Sequence, residues 1–174
     1  ADTLSGGNGN DILIGGTGSD VITTGAGINI IAFDKGDGQD LVNATAGLNN
    51  TLSLGGSFAY NDLSLQKNGN DLILDVGSAD SITFKGWYAG NNNIVDLQVI
   101  ASAMTDFNPG SADVLSNSNV EDFDFQQLAG AFDQALAANP GLTAWCVTRS
   151  RLDAHPSGRD TAARALRSRR LLPL

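Results

Sequence analysis

The sequence predicts an all-β fold: a parallel β-roll (a β-helix solenoid) with a C-terminal β cap and one or two short helices. Three observations carry this. A glycine- and aspartate-rich nonapeptide recurs over residues 1–43. Two alternating runs then flank an Asn-Gly turn at residues 68–69. Two apolar stripes at three- and four-residue steps follow residue 93.

The repeat is legible residue by residue. Gly6-Gly7-Asn8-Gly9-Asn10-Asp11-Ile12-Leu13-Ile14 runs directly into Gly15-Gly16-Thr17-Gly18-Ser19-Asp20-Val21-Ile22-Thr23. Thr24-Gly25-Ala26-Gly27-Ile28-Asn29-Ile30-Ile31-Ala32 keeps the frame, and Asp2-Thr3-Leu4-Ser5 is the back half of an earlier unit. After a two-residue slip, Lys35-Gly36-Asp37-Gly38-Gln39-Asp40-Leu41-Val42-Asn43 adds one more. One acid position thus runs through Asp2, Asp11, Asp20, Asn29 and Asp40. One apolar position runs through Leu4, Leu13, Ile22, Ile31 and Val42. Three residues centred on the apolar one make a short strand with its middle side chain inward. The six before them make a turn, where glycine supplies positive φ and close backbone approach. Strand plus turn is half a coil, so turns two units apart stack on one side.

Composition narrows the chemistry. Of 19 acidic residues, all but Glu121 are Asp, the shorter side chain suited to tight turns and hard-cation sites. One Cys and one His exclude an internal disulfide, zinc clusters and histidine-based triads. No apolar run approaches a membrane span.

The nonapeptide resembles the calcium-binding G-G-x-G-x-D-x-U-x repeat of RTX (repeats-in-toxin) proteins, which Gram-negative bacteria export by type I secretion. The resemblance implies Ca²⁺ held between stacked turns by Asp side chains and turn carbonyls. Turns 15–20 and 35–40 would form the better site, with Asp20 and Asp40 as side-chain ligands and carbonyls of Gly15, Thr17, Gly36 and Gly38. Asp2 would join Asp20 on its other side. Turns 6–11 and 24–29 would form a weaker site from Asp11, Asn29 and the carbonyls of Gly6, Asn8, Gly25 and Gly27, since Asn29 replaces the second Asp. Gly16 and Gly18 complete the metal-site turns. Asp34 and Asp37 read as solvated or outer groups. Stacked carboxylates repel, and short strands bury little apolar surface, so calcium binding and folding are expected to be one event.

Residues 50–107 are expected to cap the roll, because a solenoid end exposes strand edges and an open core. Asp62–Gln66 and Asp71–Val76 flank the Asn68-Gly69 turn, and Ser81–Phe84 leads to Trp87-Tyr88. This stretch, from Asp62 to Tyr88, resembles the region that closes RTX rolls. Phe84, Trp87 and Tyr88 read as buried capping material. Residues 93–107 read as a helix through Ile94, Leu97, Ile100 or Ala101, Met104 and Phe107. Val120–Ala138 reads as a second, with Phe125, Leu128, Phe132 and Leu136 on one face. Residues 108–143, a linker and this helix, lie where type I-secreted proteins carry their export signal.

The last segment differs in composition. Residues 1–143 hold 17 acids and three Lys, whereas 144–174 hold seven Arg and two Asp. This Arg-rich tail carries no pattern that would pack on a roll and is expected to be disordered or an artefact of reading frame. No nucleic-acid partner is expected.

Together these readings give a secreted or cell-surface calcium-binding module, with calcium ions and a type I ABC exporter as partners. It would be the C-terminal fragment of a larger extracellular toxin, enzyme or adhesin. No enzymatic activity is expected, since no nucleophile–base pair is visible. The alternative is an adhesive or surface-layer module that binds cells or glycans.

Overall fold

The computed structural model describes residues 1–44, 49–77 and 79–157. Five three- to five-residue strands come from the nonapeptides: β1 (Thr3–Ser5), β2 (Ile12–Ile14), β3 (Val21–Thr23), β4 (Ile30–Asp34) and β5 (Gln39–Asn43). β6 (Asn50–Gly55), β7 (Ser64–Asn68), β8 (Asp71–Gly77), β9 (Asp80–Phe84) and β10 (Ile94–Val99) follow. The C-terminal part adds α1 (Val114–Asn117), β11 (Glu121–Asp124), α2 (Phe125–Ala138), β12 (Trp145–Cys146) and α3 (Arg149–Ala154).

The fold is mostly β, with two mixed sheets and few helices. The seven-stranded sheet runs β1-β3-β5-β9-β8-β7-β12, and the five-stranded sheet runs β11-β10-β6-β4-β2. Strands from successive nonapeptides alternate between the two sheets, and within each sheet they pair in parallel. The register matches the repeat: Leu4 stands beside Ile22 and Ile22 beside Val42, while Leu13 stands beside Ile31 and Ile31 beside Leu52. Leu13, Ile22, Ile31, Val42 and Leu52 are buried between the sheets, as the inward middle position of each short strand requires.

The β8 hairpin is antiparallel to both neighbours. A two-residue Gly69-Asn70 turn joins β7 to β8, with Asn68 opposite Asp71. β9 then returns parallel to β5. Tyr60–Asp62 and Trp87–Ala89 are single 3-10 turns. Phe84 and Trp87 are buried and pack on Phe125 of α2, at ring centroid separations of 5.3 and 5.5 Å.

Three expectations are corrected. Residues 93–107 do not form a helix. Ile94–Val99 is β10, parallel to β6 and antiparallel to β11, and Ala101–Ala103 is a 3-10 turn. A register shift between Ile94 and Asp96 puts Ile94, Leu97 and Val99 inside. That bulge turns a period of two into a three-residue step that imitates a helix. The second helix starts later than Val120. Glu121–Asp124 is strand β11, and Asp124 then caps α2 by accepting the N–H of Gln127 at 2.8 Å. Phe125, Leu128 and Phe132 form its buried face, and Leu136 packs partly against it.

The third correction concerns the tail. Over residues 145–157 it packs rather than hangs free. β12 pairs antiparallel with β7, and Trp145, Val147 and Leu152 are buried. The sequence advertises the Arg cluster, but Arg149 pairs with Asp106 and Asp113, and Arg151 lies over the Trp145 ring at 4.1 Å. Arg159, Arg164, Arg167, Arg169 and Arg170 lie outside the described residues.

Candidate metal centre

Glycine turns set the spacing of the candidate site. Turn 6–11 stacks on turn 24–29 through a parallel bridge between Asn8 and Ala26, and turn 15–20 stacks on 35–40 through Gly18 and Gly38. Backbone ladders tie them: Ala26 N–H donates to Gly7 O at 2.7 Å, and Gly18 N–H donates to Asp37 O at 2.7 Å. The stacked backbones approach so closely that a Cβ on Gly27 would overlap the carbonyl of Gly9. Gly27 also has φ 107°, where an L side chain is strained.

Side chains at the acid position form two ladders between coils. On one side, Asp20 Oδ1 accepts the backbone N–H of Asp2, and Asp40 Oδ1 accepts that of Asp20 at 2.9 Å. On the other, Asn29 Oδ1 accepts the N–H of Asp11 at 2.9 Å, and Asn50 Oδ1 accepts that of Asn29 at 3.0 Å. Asp20, Asn29, Asp40 and Asn50 are buried, whereas Asp2 is exposed at the start of its ladder.

The second carboxylate oxygen behaves differently. Asp11 Oδ2 and Asp20 Oδ2 are both buried and neither has a hydrogen-bond partner. Each leans over the first glycine of its own turn. Asp20 Oδ2 stands 2.6 Å from where a Cβ of Gly15 would be, and Asp11 Oδ2 2.9 Å from that of Gly6. A side chain at either glycine would displace the carboxylate. Among the described residues, the ladder brings no N–H to the carbonyls of Gly6, Asn8, Gly15, Gly16, Thr17, Gly25 or Gly36. Buried anionic oxygen beside unbonded carbonyl oxygen is costly unless a positive partner completes it. The donors are all hard oxygen, the set that suits Ca²⁺. Among the described residues no three His, Cys, Asp or Glu side chains converge, so such a centre relies on backbone carbonyls.

Other expected ligands are engaged elsewhere. Gly18 O accepts the N–H of Gln39 at 3.1 Å, and Gly38 O accepts that of Ser81 at 2.8 Å. Gly27 O accepts the side-chain Nδ2 of Asn29 at 3.3 Å. Burial raises the Asp40 carboxyl above its ordinary range. The N–H of Asp20 lowers it, while the carboxylates of Asp20 and Asp37 raise it further. Asp37 Oδ2 accepts the N–H of Asp34 at 2.8 Å, and Asp34 is exposed.

Sequence reading missed Asp80, Asn50 and Asn93. The Asp80 carboxylate accepts the N–H groups of Gly36 at 2.8 Å and Gly38 at 3.2 Å, closing the last turn. Asn50 N–H donates to Asn93 O at 2.9 Å. A signal was present: Asn50-Thr51-Leu52-Ser53 and Asp80-Ser81-Ile82-Thr83 repeat the back half of the nonapeptide without its glycines.

The family described as the RTX calcium-binding nonapeptide repeat (4 copies) matches residues 1–31. The chain carries RTX calcium-binding repeats. The match spans β1 to the start of β4 and both turns whose carboxylates hold an unpartnered oxygen. RTX nonapeptides bind calcium, so Ca²⁺ is the ion these turns serve. A search of curated proteins found no match. Among the described residues no helix is long and apolar enough to cross a membrane.

Proposed function

We propose that the RTX repeats wind as a calcium-binding parallel β-roll that folds when it meets Ca²⁺ outside the cell, after export by a type I ABC exporter. The observation that carries this reading is the pair of buried, unpartnered oxygens, Asp11 Oδ2 and Asp20 Oδ2, each lying over a glycine turn. At low calcium these oxygens make their own turns costly to fold, so the repeats that carry them stay extended and fit for threading. Millimolar calcium supplies the positive partner, and ion binding then adds directly to folding free energy. The rest of the chain acts as the cap: β6, β9 and β10 continue the two sheets, and β8, β7 and β12 finish one edge. The role is one of binding and folding, with no catalytic step, as part of a larger secreted protein.

Circular dichroism with and without calcium, paired with calorimetric counting of bound ions, tests the reading. β structure should increase cooperatively with Ca²⁺, and Mg²⁺ should not replace it, because its rigid octahedral demand suits a carbonyl-lined turn poorly. The same β-rich spectrum in excess chelator, with no ion bound on adding calcium, would overturn it.

A further inference from the structure

The two ladders differ at one atom. Asp11 and Asn29 stand one coil apart in the same row, and in both rows the Oδ1 of the later residue accepts the backbone N–H of the earlier one. At Asp11 and Asp20 the second atom is an oxygen with no partner. At Asn29 it is an amide nitrogen, and it donates twice: to Gly27 O at 3.3 Å and to Asn50 Oδ1 at 3.0 Å. The N–H of Asp11 fixes which way the amide points, since only the oxygen can accept it. Nδ2 therefore carries positive hydrogens to a turn carbonyl and to the next side-chain oxygen in the stack. Those are the groups for which a cation would otherwise be the partner.

We propose that Asn29 is a built-in substitute for a calcium ion, so that turn 24–29 closes without metal and the ladder Asn29–Asn50–Asn93 holds β4, β6 and β10 in register before any ion binds. This rests on the calcium reading above and deepens it. Calcium dependence then falls on the Asp11 and Asp20 turns. Within the five-stranded sheet the part from Asn29 onward, β4 tied through Asn50 to β6 and through Asn93 to the start of β10, is the calcium-independent template, and β2 after Asp11 joins it with the ion.

The substitution Asn29→Asp reads this directly. An aspartate would put an oxygen where Nδ2 now donates, facing Gly27 O and Asn50 Oδ1. Asn50 cannot turn its own amide to compensate without losing the N–H of Asn29, which its Oδ1 accepts. Calorimetry should count one more calcium in N29D than in the wild type, and its thermal midpoint in excess chelator should fall by about 5 °C or more. The reciprocal change, Asp20→Asn, should bind one calcium fewer and raise the midpoint in chelator. A wild type that binds no calcium sinks the function proposed above, and the chelator midpoints still judge Asn29. N29D with the wild-type ion count and the wild-type midpoint in chelator overturns the inference. If N29D does not fold even in calcium, D20N decides, and an unchanged ion count there overturns it equally.

Discussion

Asp40 accepts the backbone N–H of Asp20 at 2.9 Å with its own carboxylate, and both side chains are buried. Asp20 repeats this toward Asp2, so its side chain bonds one coil while its backbone bonds the next. Asp11 has less to lose. Its side chain is only half-buried, and its neighbour in the stack is the neutral amide of Asn29. Asp20→Ala should therefore cost about 2–3 kcal/mol at saturating calcium, as for a charged hydrogen bond whose loss also strips a ligand, against about 1 kcal/mol for Asp11→Ala. Tryptophan fluorescence titrations with calcium would show it. Equal shifts in the two variants would mean that the ladders do not set the order of the sites.

The turns offer a purely steric prediction. Gly16 and Gly27 both have positive φ, but a Cβ on Gly16 would meet open space, whereas one on Gly27 would enter the carbonyl of Gly9. Gly16→Ala should cost about 1–2 kcal/mol, the penalty of the left-handed conformation alone. Gly27→Ala should cost at least twice that, on the order of 3 kcal/mol or more, because stacked turns must separate. Thermal unfolding in calcium separates the two. Similar midpoints would argue against close stacking of turns 6–11 and 24–29.

What the sequence showed depended on how local the signal was. The nonapeptide is a local code, so β1 to β5, their inward residues and the partner of each turn could be read from spacing alone. The hairpin at Gly69 was legible for the same reason. Asp80 was not: it is 42 residues from Gly38, and only the return of β9 beside β5 brings them together. β10 was misread because one bulge changed its period. The tail was misread because its charge outweighed three apolar residues, Trp145, Val147 and Leu152, too few to mark an element.

The cap gives a prediction at a distance from any ligand. Trp87 packs on Phe84 at 5.9 Å and on Phe125 at 5.5 Å, and Phe84 belongs to β9, the strand that continues the repeat sheet. Trp87→Ala should cost about 3–5 kcal/mol. Since folding and ion binding are linked, the calcium midpoint should rise although no ligand has changed. Calorimetry should find the same number of ions at saturation. A lower ion count would place Trp87 closer to the sites than the structure does.

The C-terminal segment carries the last prediction. β12 covers the edge of β7, Val147 N–H donates to Leu63 O at 2.7 Å, and Trp145 packs beside Phe132 of α2 at 6.1 Å. Arg149 clamps this segment to Asp106, Asp113 and Ser116. The side chains of Asp106 and Asp113 are 34% and 51% exposed, so Arg149→Ala should cost only about 1 kcal/mol. Shortening the chain after Ala144 is a different matter. Among the described residues it removes three buried apolar side chains, Trp145, Val147 and Leu152, each contributing roughly 1.5–3 kcal/mol, and part of that is offset by the ordering entropy no longer spent on the segment. A net loss of about 2–4 kcal/mol should lower the thermal midpoint in calcium by about 5–10 °C. It would also leave the β7 edge open to pairing, so the shortened chain should self-associate as concentration rises, seen by light scattering. Shortening after Ser157 keeps every one of these contacts and serves as the comparison. A chain ending at Ala144 that unfolds with the full-length protein, and stays monomeric, would show that the segment rests on the sheet without supporting it.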